Sequence, residues 1–297
     1  MPFIGELAAL ATACLWALSA CMHTTAARMV GPLALNLYRL PLSLLFFVAC
    51  GALLGVPWDM PEAAIPWFAA SGIVGMGIGD VLFYGSAVRL GTRLSVLLWE
   101  LCPAVTALFA YVWLGETLTP LGMGGIVLTL LGVVWVLLEK QGDADVDPAP
   151  GRFRQGVILG LFSVVAQSLN MVFARHALLY GGDVLSGAVV RTGSAVVALW
   201  AVCLLTGWAG RAVAAVRSKP QALRVMTAAC IIGPTVGVWL SLVAMRHTKA
   251  GIAATLIGLE PLVVIALFAI QERKRPSSRL LTGTVLAVIG SAMLFLR

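Results

Sequence analysis

Five ionisable side chains stand inside otherwise apolar stretches of this sequence: Arg39, Asp80, Glu100, Arg191 and Glu260. At a rise of ~1.5 Å per residue, each lies ~10–15 Å inside the nearer end of a helix drawn through its stretch. A charge left in lipid costs a few kcal/mol, so each must face protein or a wet cavity. Arg39 and Arg191 repeat at a separation of 152 residues, early in two helices. They read as structural cations that lock helices together. Glu100 and Glu260 also repeat, in looser register. Asp80 has no acidic counterpart, because the matching stretch reads Gly237-Val238-Trp239. In a duplicated chain that asymmetry marks a place for substrate or ion chemistry: a carboxylate can exchange a proton or hold a cationic group. Tyr84, one helical turn on, shares its face.

Two polar stripes accompany these charges. Thr12, Trp16 and Ser19 fall at i, i+4 and i+7 on one helix face, and Ser163, Gln167 and Asn170 repeat that spacing 151 residues later. They are expected to line a central cavity, with Trp99 and Trp239 as aromatic walls; the plainer reading is interhelical hydrogen bonding. Gly77-Ile78-Gly79-Asp80 matches the Gly-x-Gly-Asp of intramembrane aspartyl proteases, but that chemistry needs a second carboxylate a few ångströms away. The other aspartates, Asp59, Asp143, Asp145, Asp147 and Asp183, sit in loops or at helix edges. No metal-protease, nucleophile-elbow or P-loop motif is present. The sequence thus calls for no enzyme, cofactor or metal.

The elements that must carry these residues are membrane helices. The 297 residues are 60% hydrophobic and 11% charged, against about 45–50% and 25% in a soluble domain. Apolar stretches repeatedly reach the roughly 20 residues that cross a bilayer as helix, without the alternation of a β-barrel. The basic residues behind the net charge of +7 are dispersed over short loops, which argues against nucleic acid. All six cysteines lie in apolar segments without a Cys-x-x-Cys pair. The first segment lacks the pattern of a cleaved leader and is expected to remain as a helix.

Ten spans are expected, at 3–27, 32–54, 63–88, 94–114, 120–138, 153–174, 184–207, 222–245, 250–271 and 279–296. The fold class is therefore an all-α membrane protein of ten transmembrane helices in two inverted five-helix repeats. The repeats cover 1–138 and 153–297, joined by a polar linker at 139–152. Duplication rests on Pro103 and Pro261, and on Gly125, Gly132 against Gly283, Gly290, all 158 residues apart. An odd number of spans per repeat turns the second half upside down, as in many secondary transporters. Odd-numbered loops hold 14 Lys and Arg, and the opposite side holds four. The positive-inside rule then puts the odd loops in the cytoplasm and both termini outside. Gly72, Gly75 and Gly79, at i, i+3 and i+7, read as close-packing positions, and Glu116 and Glu272 as helix-end carboxylates that pair locally.

With an arginine early in the second helix of each half (Arg39, Arg191), Leu259-Glu260-Pro261 and Gly115-Glu116, the chain resembles the drug/metabolite transporter superfamily, in particular proteins with two EamA-type domains. The first half departs from it with Leu101-Cys102-Pro103, and the second with Gln271-Glu272. The resemblance implies a secondary active transporter of a bacterial inner membrane, exporting a small polar, amino acid-like metabolite or an amphipathic compound by alternating access. Implied partners are that solute, the lipid bilayer, and a proton or ion for coupling, with monomer or homodimer left open. An intramembrane protease and a passive channel are the alternatives.

Overall fold

The computed structural model describes residues 3–56, 58–115, 119–138, 150–181, 184–248, 250–273 and 275–295. Every regular element among them is helical. The first half holds α1 (Ile4–Val30), α2 (Pro32–Leu54), α3 (Ile65–Ser71), a π-helical stretch Gly72–Gly79, α4 (Asp80–Leu90), α5 (Thr92–Trp99), α6 (Cys102–Leu114) and α7 (Pro120–Leu137). The second holds α8 (Pro150–Leu179), α9 (Val184–Leu205), α10 (Trp208–Arg217), α11 (Pro220–Cys230), a second π-helical stretch Ile231–Gly237, α12 (Val238–His247), α13 (Ala250–Ile257), α14 (Glu260–Glu272) and α15 (Ser278–Phe295). Eight helical segments among the described residues are long and apolar enough to cross a membrane. Of the expected linker, 139–149 fall outside the described residues and 150–152 open α8 instead; Glu116 and the Glu272 side chain also fall outside them.

Local sequence explains the breaks. Gly31 closes α1 with φ of +91°, which glycine adopts without strain, and Pro32 starts α2 with its φ already helical. Pro41, inside α2, brings no N–H for the carbonyl of Leu37. Trp200 of α9 supplies the missing donor, its indole Nε1 reaching Leu37 O at 3.2 Å. The fourth span is not continuous as expected. Pro103 leaves Trp99 O without its helical donor, and the chain tightens to i→i−3 bonds at Glu100 and Leu101, each 3.1 Å. Pro261 acts likewise on Ile257, where α13 ends and Leu259 N bonds Leu256 O at 3.3 Å. α10, within what reads as a loop, is a further short helix.

The two π-helical stretches occupy matching places in the halves, 159 residues apart at their starts. Each packs on the other half. Gly72–Gly79 lies against α8 and α9, and Ile231–Gly237 lies against α1 and α2. α4 packs on α8, and α12 on α1. α7 and α15 pair directly and run antiparallel. A Cβ on Gly125 would sit 2.6 Å from Gly290 O, and one on Gly132 would sit 2.5 Å from Gly283 O. Small residues at those four positions bring two backbones into contact where lipid offers no hydrophobic drive.

Candidate functional site

Polar side chains from α2 and α8 meet at Asp80, the first residue of α4. Its carboxylate forms an ion pair with Arg39 of α2 and accepts from Gln167 Nε2 of α8 at 2.9 Å. The paired side chains are 12% and 13% exposed, so each charge offsets part of the cost of burying the other. Arg39 also donates to Asn36 Oδ1, from Nε at 3.3 Å and from Nη2 at 3.1 Å. Asn36 is fully buried, and its Nδ2 donates to Met76 O at 2.7 Å, tying α2 to the first π-helical stretch.

On its other side the network continues through α8 into α9. Gln167 Nε2 reaches Gly75 O at 3.2 Å, and Asn170 Nδ2 donates to Gln167 Oε1 at 2.8 Å. Asn170 Oδ1 accepts from Ser71 Oγ at 2.9 Å and from Arg191 Nη2 at 2.8 Å. Ser163 Oγ donates to Gly79 O at 2.9 Å. Glycine leaves room for these side chains: a Cβ on Gly75 would overlap Asn170, 2.5 Å from its Nδ2, and one on Gly79 would sit tightly, 3.3 Å from Gln167 Nε2.

The other half repeats this packing without the carboxylate. Ser19 Oγ donates to Ala229 O at 3.0 Å, and Thr12 Oγ1 lies 3.4 Å from Gly237 O. A Cβ on Gly237 would sit 2.5 Å from Trp16 Nε1, and one on Gly233 would sit 2.7 Å from Ser19 Cβ. This network also includes His23 of α1, with Nδ1 3.2 Å from Ser19 Oγ and Nε2 3.6 Å from Cys230 Sγ. The two networks meet at Tyr84. Its buried ring centre lies 5.7 Å from that of His23 and 5.5 Å from the Arg39 guanidinium.

Each polar stripe is thus seated on the π-helical stretch of the opposite half. Ser19, Gln167 and Asn170 are buried, and Trp16 is half-buried. Trp99 is half-buried and stacks edge-on against Phe83 at 4.6 Å. Glu100 sits at the break between α5 and α6, 8% exposed, with Oε2 unpartnered. Glu260 opens α14, at the corresponding break of the second half. The Trp239 side chain lies outside the described residues. Asn36, His23 and Ser71 were not singled out from the sequence. Two of them had a signal: Asn36 is three residues before Arg39, and His23 extends the Thr12 stripe by four. Asp80's described hydrogen-bond and ion-pair partners are Arg39 and Gln167, so the paired carboxylates of an aspartyl protease are not assembled around it. Among the described residues no three His, Cys, Asp or Glu side chains converge as a metal would need.

Two stretches of the chain, residues 3–138 and 154–296, match the model of the EamA-like transporter family. The chain belongs to that family. It is an integral membrane, transporter-like protein built on two EamA repeats, which is the setting in which the Asp80 network is to be read. A solved structure, described only as the crystal structure of a protein, shares the fold. It covers 97% of this chain and 95% of its own, at 18% identity and a TM-score of 0.60. No curated protein sequence matches significantly.

Proposed function

We propose that this EamA protein is a secondary active transporter that exports a small, amino acid-like solute across a bacterial inner membrane by alternating access. Its scaffold is ten spans in two inverted five-helix repeats, with the basic odd-numbered loops in the cytoplasm. The carrying observation is the network from Arg39 through Asp80, Gln167 and Asn170 to Arg191, which links α2 and α4 of one half to α8 and α9 of the other. Such a link works as a latch. Breaking it frees the halves to rock, and a solute or proton that competes for its charges couples binding to that motion.

The charge balance favours a zwitterion. Two guanidiniums and one carboxylate leave a positive excess, and the buried Arg191 Nε has no partner. A solute carboxylate would satisfy Arg191, while its ammonium group would compete with Arg39 for Asp80. Ser19, Gln167 and Asn170 would then line the cavity in the state where the latch is open. Trp16, Tyr84, Trp99 and Trp239 would form its walls, with Glu100 and Glu260 as further proton carriers at the two helix breaks.

Uptake into proteoliposomes, screened with amino acids and quaternary cations with and without a pH gradient, tests the reading. Asp80→Asn should insert and fold, yet lose gradient-driven accumulation while keeping solute-for-solute exchange. Wild-type accumulation and an unchanged pH profile in that variant would remove Asp80 from the mechanism. Flux that never saturates would favour a channel.

A further inference from the structure

A second recess lies away from the Asp80 network, on the outer surface between α2, α9, α10 and α11. It has a volume of about 480 Å³, and its walls include Leu37, Pro41, Leu42, Trp200 and Val216. The polar groups on its wall are spent on holding helices together. Tyr38 Oη shares a 3.0 Å hydrogen bond with Thr227, and the Trp200 indole is used on Leu37 O. Leu45 at its edge is 66% exposed, and Leu205 on α9 is 88% exposed, as suits a face turned to lipid.

One end of the groove is charged. Arg217, the last residue of α10, lines it, and Arg211, Lys219 and Arg224 lie within the same short region, all exposed. No Asp or Glu occurs from Val184 to Leu259 to neutralise them. α10 is amphipathic: Ala209 and Ala212 are buried against the body, while Trp208 is 51% exposed with the Arg211 guanidinium 5.3 Å from its ring. Tryptophan beside basic residues is the composition of a helix resting in the headgroup layer. We propose that this groove is a binding site for one anionic phospholipid, an acyl chain lying along α2 and the phosphate held at Arg217. The apolar trough selects a chain, and these cations, paired with no carboxylate among the described residues, select a negative headgroup over a zwitterionic one. The bound lipid bridges α2, which carries Arg39, to α9 and α11.

The test uses the full-length protein in detergent, with native mass spectrometry and thermal unfolding as readouts. Phosphatidylglycerol and phosphatidylcholine with identical chains are compared, with glycerol phosphate as a chainless control. One phosphatidylglycerol should be retained per chain and raise Tm, while the other two should not. Arg217→Gln should require about fivefold more phosphatidylglycerol for the same shift, and Arg154→Gln, an exposed basic residue on α8, should leave the titration unchanged. Val216→Trp, which fills the trough, should abolish retention; if it fails to fold, the Arg217→Gln comparison decides. Equal stabilisation by phosphatidylcholine, an equal shift from glycerol phosphate, or identical titrations for Arg217→Gln and wild type would each overturn the proposal.

Discussion

Gly72→Ala and Gly77→Ala form a matched pair within one π-helical stretch, and the structure assigns them opposite signs. A Cβ on Gly72 would lie 2.5 Å from the carbonyl carbon of Arg191 and 2.7 Å from its Cα, and closer still to the carbonyl oxygen. These are backbone atoms of α9, so no rotamer change relieves the overlap. At Gly77 the nearest atom is Gly72 O at 3.9 Å, an ordinary contact. Alanine in place of a helical glycine gains about 0.5–1 kcal/mol, and overpacking costs about 1–3 kcal/mol. With rigid backbone on both sides the upper end applies at Gly72, for a net loss of about 2 kcal/mol. Gly77→Ala should instead stabilise by up to about 1 kcal/mol. Reversible unfolding in mixed micelles, read as the shift in midpoint, separates the two. Equal stabilisation by both substitutions would show that α9 does not rest on this stretch, and the packing argument would fail with it.

Two further predictions concern the scaffold and its orientation. Trp200→Phe should cost about 1 kcal/mol by stranding Leu37 O in the membrane, and much less in a Pro41→Ala background, where residue 41 regains the N–H that serves this carbonyl; an equal cost in both backgrounds would refute that origin. If the basic loops are cytoplasmic, a cysteine at Ala144 should resist a membrane-impermeant thiol reagent in intact cells and react after permeabilisation, whereas ready labelling of intact cells would reverse the topology.

Much of the packing was legible as arithmetic. The 158-residue offset that relates Gly125 to Gly283 and Gly132 to Gly290 predicts equivalent helices, and the four glycines turn out to touch one another in reversed order. The 151-residue offset of the polar stripes likewise locates side chains in equivalent settings. What those settings are was not legible. Helical spacing fixes which residues share a face, not which neighbour covers it. Cavity lining and interhelical hydrogen bonding therefore both stayed open for the stripes, which are here seated on glycine-bearing π-helical stretches. The π geometry has no spacing signature of its own, and it decides which carbonyls Asn36 and Gln167 reach. The breaks at Glu100 and Leu259 follow from the donors missing at Pro103 and Pro261, but proline alone does not draw a break, since Pro41 leaves α2 continuous.

The exchange of contacts between halves has a consequence for how the chain is made. Arg39 and Asp80 are only 41 residues apart and can pair while the first half is still emerging into the bilayer. Gln167 follows Asp80 by 87 residues, and Ser71 waits 99 residues for Asn170. For that interval the nascent first half holds a polar, glycine-lined face with nothing to cover it, in a solvent that offers no hydrogen bonds. Synthesis of α8 and α9 ends the exposure around Asp80, whereas Ser19 of α1 waits 210 residues for Ala229. A ribosome that stalls before α8 therefore leaves a product whose defect lies inside the membrane, where insertion machinery and intramembrane quality control, and not soluble chaperones, are the factors able to detect it.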